Sequence, residues 1–278
     1  MKLKLWQVDA FAERPFAGNP AAVVPLNGWL SDAKMQAIAN ENNLAETAFF
    51  VARGGGSYDL RWFTPETEVP LCGHATLASA WVVLNELSPS LEIVRFQTQS
   101  GELTVQREGK SGRLQMSLPA GRVESFAAPA GFAKDLSESL GVSAPEELHL
   151  SSAGIGGMPG ILGIWPESEV RAMRLSGGLV YVLERAGAAG LIASAKGNGA
   201  PFDFVSRFFA PGKGVPEDPV TGSAHATLTP FWARRLGKRV LRAYQASPRG
   251  GDLLCTDEGA RIVLAGPCAL YLKGEIEI

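Results

Sequence analysis

The run Leu71-Cys-Gly-His-Ala-Thr-Leu-Ala-Ser-Ala-Trp-Val-Val-Leu84 is apolar or small at nearly every position. Read as a helix, it has no polar face, so protein must enclose it on most sides. The segments around it are short and strand-like, which predicts a helix threaded through a curled sheet. A second copy follows in Thr221-Gly-Ser-Ala-His-Ala-Thr-Leu-Thr-Pro-Phe-Trp232. Phe63-Thr-Pro65 leads into the first copy and Phe209-Ala-Pro211 into the second. Val69-Pro70 and Val215-Pro216 recur between, the second spacing being about three residues longer. This weak repeat predicts two related lobes. Pro230 predicts a kink or a shift in hydrogen bonding inside the second helix, and Gly237 marks its end.

Outward from these helices the chain alternates. Leu3–Val8 and Ala22–Leu26 read as strands. Ser31 reads as the N-cap of a helix over Asp32–Asn42, with Met35, Ile38 and Ala39 on one face. Strands are expected at Thr47–Ala52 and Tyr58–Thr64 around Gly54-Gly-Gly56, then at Ile93–Gln99, Glu102–Arg107 and Arg113–Leu118. Pro119–Pro129 lacks periodicity and reads as a linker. Beyond it, strands are expected at Ile161–Trp165, Val180–Glu184, Asp203–Phe209, Arg261–Leu264 and Leu270–Ile276, with few helices. The class is α+β: two similar lobes, 1–118 and 119–278, each a curled, mostly antiparallel sheet or barrel around a central helix. The final strand, 269–278, is expected to return to the first lobe.

Of 278 residues, 46% are hydrophobic and 19% charged, with 26 Lys and Arg offset by 28 Asp and Glu. That suits a folded core and argues against disorder or a basic nucleic-acid surface. No apolar run approaches the ~20 residues of a membrane span, and the start reads as a strand, not a signal peptide. Three sparse cysteines fit a reducing compartment. A cytoplasmic protein without membrane or nucleic-acid partners is expected.

Several motifs carry no chemistry. Glu108-Gly-Lys-Ser-Gly112 lacks the first glycine and the helix of a phosphate loop and reads as a hairpin turn. Gly154-Ile-Gly-Gly-Met-Pro-Gly160 reads as a loop. Cys72, His74 and His225 have no zinc-ligand spacing, and no nucleophile elbow for a hydrolase serine is present. The helix entrances differ. A helix start carries about half a positive charge and favours an anion, so Gly73 and Gly222 offer carboxylate sites, with His74 and Ser223 as added donors. Asp218 stands before the second entrance. Glu46 stands at a helix-to-strand junction ahead of an apolar strand, where partial desolvation suits proton transfer.

Ala17-Gly-Asn-Pro-Ala21, Asn43-Leu-Ala-Glu-Thr-Ala-Phe49, Leu71-Cys-Gly-His-Ala-Thr76, Ser206-Arg-Phe-Phe-Ala-Pro211, Glu217-Asp-Pro-Val-Thr-Gly-Ser-Ala224 and Ser247-Pro-Arg-Gly-Gly251 occur in this order along the chain. Together they resemble the phenazine-biosynthesis PhzF-like family, a relative of diaminopimelate epimerase and proline racemase. The resemblance implies a two-lobed isomerase with its site between the lobes, a homodimer, no cofactor and no metal. It further implies a small carboxylate-bearing substrate. By motif, Glu46 resembles the proton-shuttling acid/base, while His74 and Asp218 resemble groups that hold and assist the substrate. Gly73, Gly222, Ser223, Asn19 and Cys72 fall among the substrate-binding positions.

Epimerases and racemases of that superfamily set one cysteine before each glycine-led helix. Here Cys72 is matched by Thr221, which points to a single-base isomerase acting through Glu46, with Cys72 read as a thiol packed under the helix cap. Two other readings stay open. One is a small-molecule binder on the same fold that does not turn over. The other is an epimerase pairing Cys72 with another base.

Overall fold

The computed structural model describes residues 1–109, 111–152, 158–199 and 201–278. Residue contacts divide the chain into two compact units: Met1–Leu118 with Val263–Ile278, and Pro119–Ile262.

The first unit runs β1 (Lys2–Ala10), β2 (Asn19–Leu26), α1 (Asp32–Asn42), β3 (Glu46–Gly54), β4 (Ser57–Phe63), β5 (Glu68–Val69), α2 (Gly73–Val82), β6 (Ile93–Thr98), β7 (Gly101–Arg107) and β8 (Leu114–Pro119). Strand alternation decides which face meets which helix. Leu5, Ala22, Val24, Leu26, Phe49 and Phe63 form one face, on which α1 buries Met35, Ile38 and Ala39. The Ser31 hydroxyl accepts the Lys34 amide to start α1, and Asn43, left-handed at φ 48°, ends it. The other face carries Trp6, Val8 and Ala10 paired with Val23, Ala21 and Asn19. In β3 that face carries Glu46, Ala48 and Phe50, paired with Ala21, Val23 and Pro25. Helix α2 packs against β1, β2, β3 and β7, burying His74 to Ala80 and Val82. A π-helical turn over Val83–Leu87 continues it.

The second unit runs β9 (Val123–Ser125), α3 (Phe132–Leu140), β10 (Glu147–Ser151), β11 (Gly160–Ile164), α4 (Glu167–Ala172), α5 (Leu179–Arg185), β12 (Gly190–Lys196), β13 (Phe204–Ala210), β14 (Val215–Asp218), α6 (Gly222–Leu236), β15 (Val240–Gln245) and β16 (Gly251–Asp257). Its pairing repeats that of the first. Strands β1 to β7 pair as β1–β2 antiparallel, β2–β3 parallel, β3–β4 and β4–β5 antiparallel, β4–β6 parallel and β6–β7 antiparallel. Strands β10 to β16 follow the same series, step for step. Helices α2 and α6 occupy the same place in it. Each unit is therefore α+β, with a mainly antiparallel sheet and a buried helix.

The chain then passes through β17 (Arg261–Gly266) to β18 (Cys268–Glu277), which pairs antiparallel with β1 from Lys2–Glu277 to Ala10–Cys268. No helix among the described residues is long and apolar enough to cross a membrane.

Two local readings change. Val180–Glu184, read as a strand, lies in α5; its buried Leu179, Val182 and Leu183 recur at helical spacing. The supposed linker holds β9, paired with β10, and its Gly121 amide bonds the Ala226 carbonyl at 2.9 Å. That carbonyl is the one whose helical partner Pro230 removes, so α6 continues through the proline with the orphaned acceptor satisfied. The hairpin joining β7 to β8 is confirmed by their antiparallel pairing, although Lys110 lies outside the described residues. Residues 154–157 of the glycine-rich loop also lie outside them.

Candidate active site

The first residues of β2 and β3 and the start of α2 bring Asn19, Glu46, Cys72 and His74 together. Glu46 has the parity of Ala48 and Phe50, so its side chain rises on the α2 face. His74 Nε2 lies 3.0 Å from Glu46 Oε2, with the two side chains 5% and 16% exposed. The other ring nitrogen, Nδ1, lies 3.0 Å from Asn19 Nδ2 and 3.5 Å from Cys72 Sγ. An amide offers both donor and acceptor, so Asn19 can serve Nδ1 in either protonation state of the ring.

Burial opposes a charge on His74, but the Cys72 sulfur and the Glu46 carboxylate outweigh it and hold the imidazole well above its ordinary range. Burial, helped by Glu46, pushes the Cys72 thiol up to about 11, against the pull of His74. Cys72 therefore keeps its proton near neutrality, and Glu46 is the anion that favours the imidazolium. The pair is a half-buried carboxylate set 3.0 Å from a buried imidazole as an ion pair.

In the second unit the entrance to α6 is built differently. Thr221 and Cys72 are the N-caps of α6 and α2; both are extended, and neither side chain caps its helix by a hydrogen bond. The Thr221 hydroxyl instead donates to Asp218 Oδ2, fixing that carboxylate before the helix. Gln245 accepts the Thr221 amide at 2.8 Å and donates to the Asp218 carbonyl at 2.7 Å. Ser247 donates to the Pro219 carbonyl at 2.8 Å. Gly222 is buried and Ser223 half-buried at the first turn. His225 points elsewhere: burial drops it to about 4. As a neutral ring it donates from Nδ1 to the Thr221 carbonyl at 2.8 Å and faces the Ser206 hydroxyl at 3.3 Å.

Both entrances are braced alike. Arg61 on β4 grips Glu68 on β5 at 2.7 and 2.6 Å, and Arg207 on β13 grips Glu217 on β14 at 2.7 and 2.8 Å. Each guanidinium also lies over the phenylalanine two residues on, Phe63 or Phe209. Glu217 thus belongs to the frame, and its neighbour Asp218 is the acid at the helix entrance.

Residues 8–274 match the family model described as phenazine biosynthesis-like protein, PhzC-PhzF. The chain belongs to this family. A protein of Pseudomonas aeruginosa named an uncharacterized isomerase is 48% identical over 278 residues, 100% of both chains. The crystal structure of a PhzF-family phenazine biosynthesis protein from Enterococcus faecalis has a TM-score of 0.88 at 40% identity, covering 100% of each chain. A hydroxyproline epimerase from Agrobacterium vitis shares the fold at a TM-score of 0.63 and 12% identity, covering 99% of this chain and 92% of that one.

For this family member the structure gathers Glu46, His74, Cys72 and Asn19 at one entrance, and Asp218, Gly222 and Ser223 at the other. Asn19, read as substrate-binding, is fully buried against His74 and positions the ring. Sequence reasoning missed Gln245 as a support of Asp218 and Ser247 as a support of Pro219. Gln245 is a fully buried polar residue at the end of β15, a placement that shows only once the strand is known. Cys72, His74 and Glu46 each offer a metal-ligand atom, all within 4.8 Å of one another, a different set from Cys72, His74 and His225.

Proposed function

We propose that the protein is an isomerase that moves a proton between carbons of a small carboxylic acid, with Glu46 as the single general acid/base and no cofactor. The observation that carries this is the half-buried Glu46 carboxylate 3.0 Å from the buried His74 ring. In this reading Glu46 takes the proton from a carbon made acidic by the neighbouring unsaturation or carboxylate. It returns the proton at a second carbon of the same molecule, so that a carbon–hydrogen bond is lost at one position and gained at another. His74 stands 3.0 Å from that carboxylate, and a positioned acid/base of this kind contributes about 10²–10⁴ in rate. The helix entrance at Gly73 supplies backbone donors for the substrate's carboxylate.

The family membership and the relative named an isomerase support the reaction class. Two features argue against a thiol epimerase. Cys72 holds its proton up to about 11, and the matching N-cap is Thr221, a weak base engaged with Asp218. A binder without turnover is the remaining alternative, and a carboxylate set beside a buried imidazole is a feature that binding alone does not require. A thermal-shift screen of small unsaturated and hydroxylated carboxylic acids, followed by mass spectrometry of each hit in deuterated water, separates the two. Incorporation of solvent deuterium at carbon supports the isomerase. Saturable binding without incorporation overturns it in favour of the binder.

A further inference from the structure

We propose that Cys72 Sγ, His74 Nε2 and Glu46 Oε2 form a binding site for a borderline-soft divalent cation of the Zn²⁺ type, which blocks the proton-transfer pair when it binds. The cation site stands on the donor set alone and goes beyond the isomerase reading; only the block of proton transfer rests on that reading.

Thiolate, imidazole and carboxylate are the three donor types that Zn²⁺ takes, at bond lengths of ~2.0–2.3 Å, which in a tetrahedron sets the donors ~3.3–3.8 Å apart. Here Nε2 lies 3.0 Å from Oε2 and 4.0 Å from Sγ, distances that bracket that spacing. All three ligand atoms fall within 4.8 Å of one another. They come from the first residue of β3 and from the N-cap and second residue of α2, so the backbone sets their spacing.

A second observation is independent of the ligand count. A metal-bound histidine donates its other ring N–H to a fixed acceptor. Nδ1 of His74 already faces the buried amide of Asn19 at 3.0 Å, and that amide, turned about its last bond, presents its oxygen as the acceptor. On binding, the thiol proton and the imidazolium proton on His74 Nε2 leave to solvent, and no electrons move. The fourth position is left to water or to a substrate carboxylate. A hard cation such as Mg²⁺, which wants six oxygens, finds only one here.

The probe is Co²⁺ added to full-length protein freed of metal by a chelator. The expected result is one equivalent bound per chain with a thiolate-to-cobalt charge-transfer band, which Zn²⁺ removes by displacement and Mg²⁺ does not. Cys72→Ser should lose the band while Cys255→Ser and Cys268→Ser keep it, and Asn19→Ala should weaken binding by about 10–100-fold. Absence of the band in the wild type at saturating Co²⁺, or its persistence in Cys72→Ser, overturns the proposal. Should Cys72→Ser fail to fold by circular dichroism, His74→Asn carries the test: an affinity for Co²⁺ equal to wild type overturns the proposal equally. None of these readings uses turnover, so the failure of the isomerase reading would leave them intact.

Discussion

Nδ1 of His74 lies 3.0 Å from the side-chain nitrogen of Asn19, and both residues are buried. This contact holds the ring with Nε2 3.0 Å from Glu46 Oε2. Asn19→Leu keeps the size of the side chain but leaves a buried ring nitrogen without its partner, at a cost of about 1–3 kcal/mol. Chemical denaturation should show that loss, and proton exchange into bound substrate should fall about tenfold while substrate affinity changes little.

Arg207 and Glu217 are 8% and 15% exposed, and Arg207 also donates to the Met173 carbonyl at 2.6 Å. Glu217→Gln leaves that guanidinium without its anion in a buried place and should cost about 3–5 kcal/mol. The equivalent Glu68→Gln should cost roughly 1 kcal/mol or less, because Arg61 is 22% exposed and keeps Asp32 at 2.9 Å. Urea titrations of the two variants check the order.

His225 titrates at about 4 in the folded chain against an ordinary 6.5. Above pH 6.5 the ring is neutral in both states and contributes no pH dependence. Between pH 6.5 and 4 the unfolded chain binds more protons, so stability falls as the pH falls, by roughly 3 kcal/mol across the window. Stability measured from pH 7 to 4 should flatten in His225→Gln relative to the parent.

Gly121 is needed for space. A Cβ there would lie 2.2 Å from Thr227 Oγ1 and 2.9 Å from the Thr227 Cα. Gly121→Ala should therefore cost about 1–3 kcal/mol, and it also strains the amide that satisfies the carbonyl orphaned by Pro230. A lowered melting temperature, with Gly28→Ala as a control in open space and likewise free of a left-handed backbone, checks this.

Much of the fold was legible because burial leaves simple marks. The apolar run of α2 announced an enclosed helix, and Ser31 and Gly237 fall at the ends of α1 and α6. Asn19, Glu46 and His74 could be named from motifs. That Asn19 bears on the ring follows from strand parity and register, which no local pattern shows. Val180–Glu184 misled because its apolar residues satisfy a strand and a helix alike over so short a length. Pro119–Pro129 misled because its order comes from distant partners, the carbonyls of Ala226 and Ala260 and strand β10. Gln245 and Ser247 act through bonds to Thr221, Asp218 and Pro219, more than 20 residues away in the chain.

The central claim is that one carboxylate, that of Glu46, carries the proton. The direct measurement is incorporation of solvent deuterium at carbon in a turned-over carboxylic acid, comparing the parent with Glu46→Gln at equal, circular-dichroism-verified folding. The account predicts a fall of about 10²–10⁴ in exchange rate with substrate still bound, and no comparable fall in Cys72→Ser. Exchange at the parent rate in Glu46→Gln would contradict it.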